Sequence, residues 1–252
     1  MDLSTTHDVP HRRLLTVAGV TGIAYALSWM AGLAVTAPSP KLTASGAEII
    51  AALAGHGTAV ATQFALTEGL PAAGLAIVSI ALARAARRSA ATVAAWAALI
   101  AGATAAFLSM LQFALGAVLT RTASPGTAHL LYDMVNRLDG IKMLTLAILG
   151  LAAAASGVLP RWLRYTGITL AVVITASGLA FLLLLQGLTV LAGPALVLLL
   201  LFITGTGITV GAAKASVVPA VSAGRSRLPR SVADQCDGQG VTGATRPPGA
   251  QS

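Results

Sequence analysis

Six stretches of this 252-residue chain are each long and apolar enough to cross a lipid bilayer: residues 14–36, 58–83, 90–119, 138–158, 165–185 and 189–213. A hydrocarbon core of about 30 Å asks for about 20 apolar residues in helical form, and backbone that meets lipid must satisfy its own hydrogen bonds. Only 10% of the residues are charged, against about 25% in a soluble domain. Too little polar side chain exists to cover a water-facing surface. The fold class that follows is an all-α, polytopic membrane bundle of six transmembrane helices. The third run exceeds the necessary length and should tilt or project.

The placement of basic residues orients such a bundle. With the N-terminus in the cytoplasm, twelve lysines and arginines fall on that side: Arg12, Arg13, Arg84, Arg87, Arg88, Arg161, Arg164, Lys214, Arg225, Arg227, Arg230 and Arg246. Four fall on the other, Lys41, Arg121, Arg137 and Lys142. Both termini are therefore expected in the cytoplasm of a cell with this chain in its plasma membrane. Residues 1–13 form a short cytoplasmic N-terminus, 14–213 the membrane domain, and 214–252 a basic tail rich in Gly, Pro and Ser with too little apolar content to fold alone. The first run outlasts the apolar core of a cleaved signal, about 7–15 residues, and reads as a retained helix. Between the first two runs, residues 47–55 form a short amphipathic piece that cannot span and belongs at the interface.

The net charge of +8 is spread over loops and tail, with aromatics at 4%, which excludes a nucleic-acid surface. Cys236 is the one thiol and sits in the tail. His7, His11, His56 and His129 lack metal-ligand spacing, and no phosphate loop, nucleophile elbow or dinucleotide fingerprint is present. Neither a metal nor a cofactor is expected. Gly207 and Gly211, four apart in a membrane helix, read as a close helix-packing face.

Carboxylates inside spans are the residues that need a reason, because a central charge costs about 2.5–3.5 kcal/mol on insertion scales and usually faces the bundle interior. Glu68 lies ten residues past Thr58, about 15 Å along its helix. Pro71 follows and removes the donor for the Thr67 carbonyl. A purely structural reading makes Glu68 a neutral acid hydrogen-bonded to a neighbouring helix, through Gln112 or a Ser/Thr hydroxyl. The segment "LLYDMVNRLDGIKML" (residues 130–144) supplies further candidates. Asp139 and Lys142, three apart, can pair just inside the outer boundary, with the lysine snorkelling outward. Asp133 is a further acid. Tyr132, Asn136 and Gln112 are the side chains offered for a substrate's polar end.

The motifs "HRRLLTVAGVTGI" and "LPRWLRYTGI", with Arg13, Gly19 and Ile23, then Pro160, Arg161, Trp162, Leu163 and Gly167, resemble those of small six-helix membrane proteins of actinobacteria, a family of unknown function. That resemblance implies the fold. Glu68 followed by Asp139 also resembles the acid pair of membrane-embedded terpene cyclases, although this chain has one span fewer. It implies proton-initiated cyclisation of an isoprenoid-like substrate, with Glu68 as acid and Asp139 as counter-carboxylate.

Three functional classes are consistent with these residues. One is an acid–base enzyme on a lipophilic small molecule; the others are a non-catalytic scaffold or sensor and a small proton-coupled transporter. Membrane lipids are the expected surroundings in each, and nothing in the sequence sets an oligomeric state.

Overall fold

The structure, a computed structural model, describes residues 9–212. The side chains of residues 9–16, 188 and 189 lie outside the description, as do the expectations for the tail, for Cys236 and for the first eight residues. Among the described residues there are helices and no strand.

The first helix, α1, runs Val9–Ala34, starting before the expected boundary at residue 14. Then come α2 (Gly46–Leu53), α3 (Gly57–Phe64), a π turn (Ala65–Gly69) and α4 (Leu70–Arg88). They are followed by α5 (Thr92–Leu119), α6 (Pro125–Ala155), α7 (Arg161–Leu182), a 3₁₀ turn (Gln186–Leu191) and α8 (Ala192–Ala212). Helix α3, the π turn and α4 are continuous, so six rods are long and apolar enough to cross a membrane. Each rod packs on its neighbour in sequence, and α8 closes the ring against α1.

Lipid gives helices no hydrophobic reason to associate, so close packing through small residues holds such bundles together. The glycines show this. A Cβ on Gly140 of α6 would stand 2.6 Å from the Gly178 carbonyl oxygen of α7. Gly207 of α8 is as close to α1, where a Cβ would meet the Ala18 carbonyl oxygen at 2.5 Å. Thr204 of α8 adds a hydroxyl bond to the Gly22 carbonyl at 3.1 Å. Outward faces carry Val20, Leu27, Phe107, Val172 and Leu201, exposed as a lipid-facing surface requires.

The largest departure from the sequence reading is α6. It begins at Pro125 and not at residue 138, with proline in the first turn, where its missing N–H costs nothing. At 31 residues it is roughly 46 Å long. Asp139 and Lys142 thereby move from the lip of a span to the middle of a helix.

The first turns of α6 receive α2. Ser45 and Glu48 close a reciprocal capping box at the start of α2, and Ile49 is fully buried with Ala44, Leu119, Ala128 and Leu131. The amphipathic piece expected at the interface is thus docked on the bundle's end. The chain ahead of it is tied down by the Tyr132 hydroxyl, which donates to the Pro40 carbonyl. The opposite end carries Arg84, Arg87, Arg88, Arg161 and Arg164. There Arg87 stacks on Trp96 at 4.2 Å, Arg164 donates to the Ala154 carbonyl at the end of α6, and Trp162 stays exposed. Tryptophan beside arginine is the usual composition of a membrane–water boundary.

Candidate functional site

Glu68 stands in the π turn. Here the Leu70 N–H reaches back five residues to the Ala65 carbonyl. In that register the N–H missing at Pro71 is the one that would serve Leu66, and the Ser28 hydroxyl of α1 donates to the Leu66 carbonyl at 2.6 Å. The freed carbonyl expected at Thr67 is therefore displaced by one residue, because the turn is π and not α. Gly32 of α1 permits the approach: a Cβ there would lie 2.6 Å from Thr67 Cγ2. Single π turns of this kind concentrate at functional sites.

The turn aims Glu68 into the bundle, where it meets Lys142 of α6. Lys142 Nζ donates to Glu68 Oε1 and Oε2, both at 2.8 Å, and lies 2.7 Å from Asp139 Oδ1 one turn back. Gln112 of α5 donates through Nε2 to the same Asp139 oxygen and to the Val135 carbonyl, each at 3.2 Å. The Ser109 hydroxyl hydrogen-bonds Glu68. Lys142 is 5% exposed and Gln112 2%. Two sequence expectations are overturned here. Lys142 does not snorkel, since two carboxylates hold it in the interior. Gln112 serves Asp139 and not Glu68.

Lys142 Nζ lies within hydrogen-bonding distance of three carboxyl oxygens, Glu68 Oε1, Glu68 Oε2 and Asp139 Oδ1. Among the described residues no bond reaches Asp139 Oδ2, and the Asp139 side chain is 20% exposed. Gln112 Oε1 is buried without a partner; two acceptors on Nε2 fix which way the amide points. With every group ionised, two carboxylates face one ammonium, an excess of one negative charge. Tyr25 of α1, buried, and Trp29 beside it complete the polar wall.

Asp139 and Lys142 also border a cavity of about 150 Å³. The rest of its wall is apolar and comes from α1, α6, α7 and α8, including Trp29, Met143, Ile174, Phe181, Ala195 and Leu199. Asp139 thus borders an apolar chamber, while its Oδ1 is held by a lysine and a glutamine.

The structure brings Glu68, Asp139 and Gln112 together and leaves three other candidates elsewhere. Tyr132 is spent on the Pro40 carbonyl and packs beneath α2. Asp133 lies 3.8 Å from His129. Asn136 donates to the Tyr132 carbonyl at 2.8 Å. Their stripe runs toward α7, where Gly140 meets Gly178. Lys142 is the member that sequence reasoning left out of the site; a lysine in an otherwise uncharged stretch, three residues from an acid, was the available signal. Among the described residues no group of three or more His, Cys, Asp or Glu side chains gathers to hold a metal ion. Comparison of the chain with protein-family models, curated proteins and solved structures yields no match.

Proposed function

We propose that this chain is a multi-pass membrane protein that exchanges one proton per cycle at Asp139 and couples it to the passage of a small lipophilic solute through the adjoining cavity. One observation carries the reading: Asp139 belongs at once to a cluster in which two acids share one buried lysine and to the wall of an apolar chamber. A proton on Asp139 makes the cluster neutral, and its loss leaves a charge that low-dielectric surroundings penalise. Occupancy of the chamber and protonation of the carboxyl are then linked energetically, which is what coupled transport requires. The π turn ahead of Pro71 places a local widening of a continuous helix beside the site, a feature concentrated at functional sites. The twelve-to-four bias of basic residues supports a cell-membrane location with both termini cytoplasmic, surrounded by membrane lipids.

The isoprenoid cyclisation suggested by resemblance draws less support. It needs a free carboxylic acid, while Glu68 has both oxygens on Lys142. It also needs room for a prenyl chain, and a cavity of about 150 Å³ is of the size that admits benzene. An acid–base enzyme on a smaller lipophilic substrate keeps one favourable observation, the apolar lining beside Asp139.

The test is a proteoliposome with an entrapped pH-sensitive dye, challenged with a panel of small amphiphilic solutes. The reading predicts a solute-dependent pH change in wild type that Asp139→Asn abolishes. Silence across the panel, or an equal response from the variant, refutes it. Altered lipid extracts from cells carrying Asp139→Asn, without any vesicle response, would favour the enzyme.

A further inference from the structure

We infer that the solute is a small organic cation, a substituted ammonium with an apolar body about the size of one aromatic ring, and that it competes with the proton for Asp139. The inference rests on the proton-exchange reading above and adds the chemistry of the guest.

An anion is disfavoured, because two acids stand against one lysine beside the chamber, and with every group ionised the cluster repels a negative guest. A neutral apolar molecule suits the walls but does nothing for Asp139 Oδ2. A cation satisfies both. It balances the charge of an ionised Asp139, and the wall includes two aromatic side chains, Trp29 and Phe181, a residue type whose rings attract cations. The groups facing Asp139 are few: Lys142 on its own helix, Glu68 from the π turn, Tyr25 from α1 and Gln112 from α5. The residues that α7 and α8 contribute to the chamber are uncharged. Binding is then an exchange, in which the Asp139 carboxyl releases its proton to water as the ammonium takes up position beside the carboxylate.

The experiment uses the purified full-length protein in detergent micelles and three probes that share a ring and differ in charge: benzylammonium, benzyl alcohol and benzoate. Calorimetric titration in two buffers of different ionisation enthalpy reads affinity and protons released together. The expected result is benzylammonium binding about ten-fold or more tighter than benzyl alcohol, with proton release on binding and no measurable benzoate binding. Equal affinity for the alcohol, tighter binding of benzoate, or no binding of benzylammonium overturns the inference. Wild type alone decides this, so a misfolded variant cannot obscure it. Two variants extend the test: Asp139→Asn should lose the preference for charge, and Ala195→Leu should fill the chamber and lose all three probes while the charge cluster stays intact. Retained preference in Asp139→Asn counts against the inference. If the charge preference is absent but Asp139 still takes up a proton, the inference alone fails; if Asp139 takes up no proton, the reading beneath it fails too.

Discussion

Replacing Lys142 by methionine removes the ammonium and keeps the length of the side chain. The 2.8 and 2.7 Å contacts through one nitrogen hold Glu68 Oε1 and Asp139 Oδ1 within about 5.5 Å of each other. Two unit charges at that distance repel by about 3 kcal/mol at an effective dielectric of about 20. Breaking one partner out of a buried ion pair costs about 3–5 kcal/mol in folded proteins. Lys142→Met is therefore expected to destabilise the bundle by about that amount. Glu68→Gln is expected to do less, about 1.5–3 kcal/mol, the worth of hydrogen bonds to a charged group, because Lys142 keeps Asp139 and the charges balance one to one. The double variant should be more stable than Lys142→Met alone, with a coupling energy above about 1 kcal/mol. Reversible unfolding in mixed micelles, followed by tryptophan fluorescence, reads all four proteins. A Lys142→Met protein as stable as wild type, or a double variant showing simple additivity, would falsify the argument that the ammonium holds both acids together.

Other predictions follow from single contacts. Ser28→Ala strips the Leu66 carbonyl of its donor and should cost about 1–3 kcal/mol; in a Pro71→Ala background the restored N–H should remove most of that cost, and a full cost in both backgrounds contradicts the π-register account. Gly140→Ala pushes a methyl toward the Gly178 carbonyl and should destabilise by about 1–3 kcal/mol, as the same unfolding assay reports; a neutral result would mean that α6 and α7 are not this close. The Ser45 backbone N–H and then its hydroxyl hold the Glu48 carboxyl below the ordinary carboxylate range. That contribution to the docking of α2 is fully present above about pH 4.3, the unfolded value, and fades as pH falls through the lower folded value. A spin label at Ala52 should loosen over that acid range in wild type and show no such transition in Glu48→Gln.

The rods were readable because lipid imposes a length and a polarity that few other constraints mimic. The start of α6 was not, since the charges between residues 130 and 144 look like a water-facing border when read along the chain. They are tolerated at mid-helix only because partners arrive from elsewhere: Glu68 lies 74 positions away and Gln112 lies 27 positions from Asp139. Local sequence does not encode such meetings. Pro71 announced a broken ladder, yet the register of the break depended on Ser28, on another helix. Tyr132 and Asn136 lie more than a turn ahead of Lys142 on α6, and their polar groups are taken up by the Pro40 and Tyr132 carbonyls. Glu68 and Asp139 were found from the cost of burying a carboxylate, and that cost also explains why a lysine sits between them.

Infrared difference spectroscopy on the reconstituted protein tests the central claim most directly, by comparing the carboxylic-acid carbonyl band on either side of a pH step. The account predicts one protonating carboxyl in wild type, lost in Asp139→Asn and moved to lower pH in Glu68→Gln, where one acid and one ammonium balance. No such band in wild type, or a band unchanged in Asp139→Asn, would contradict it.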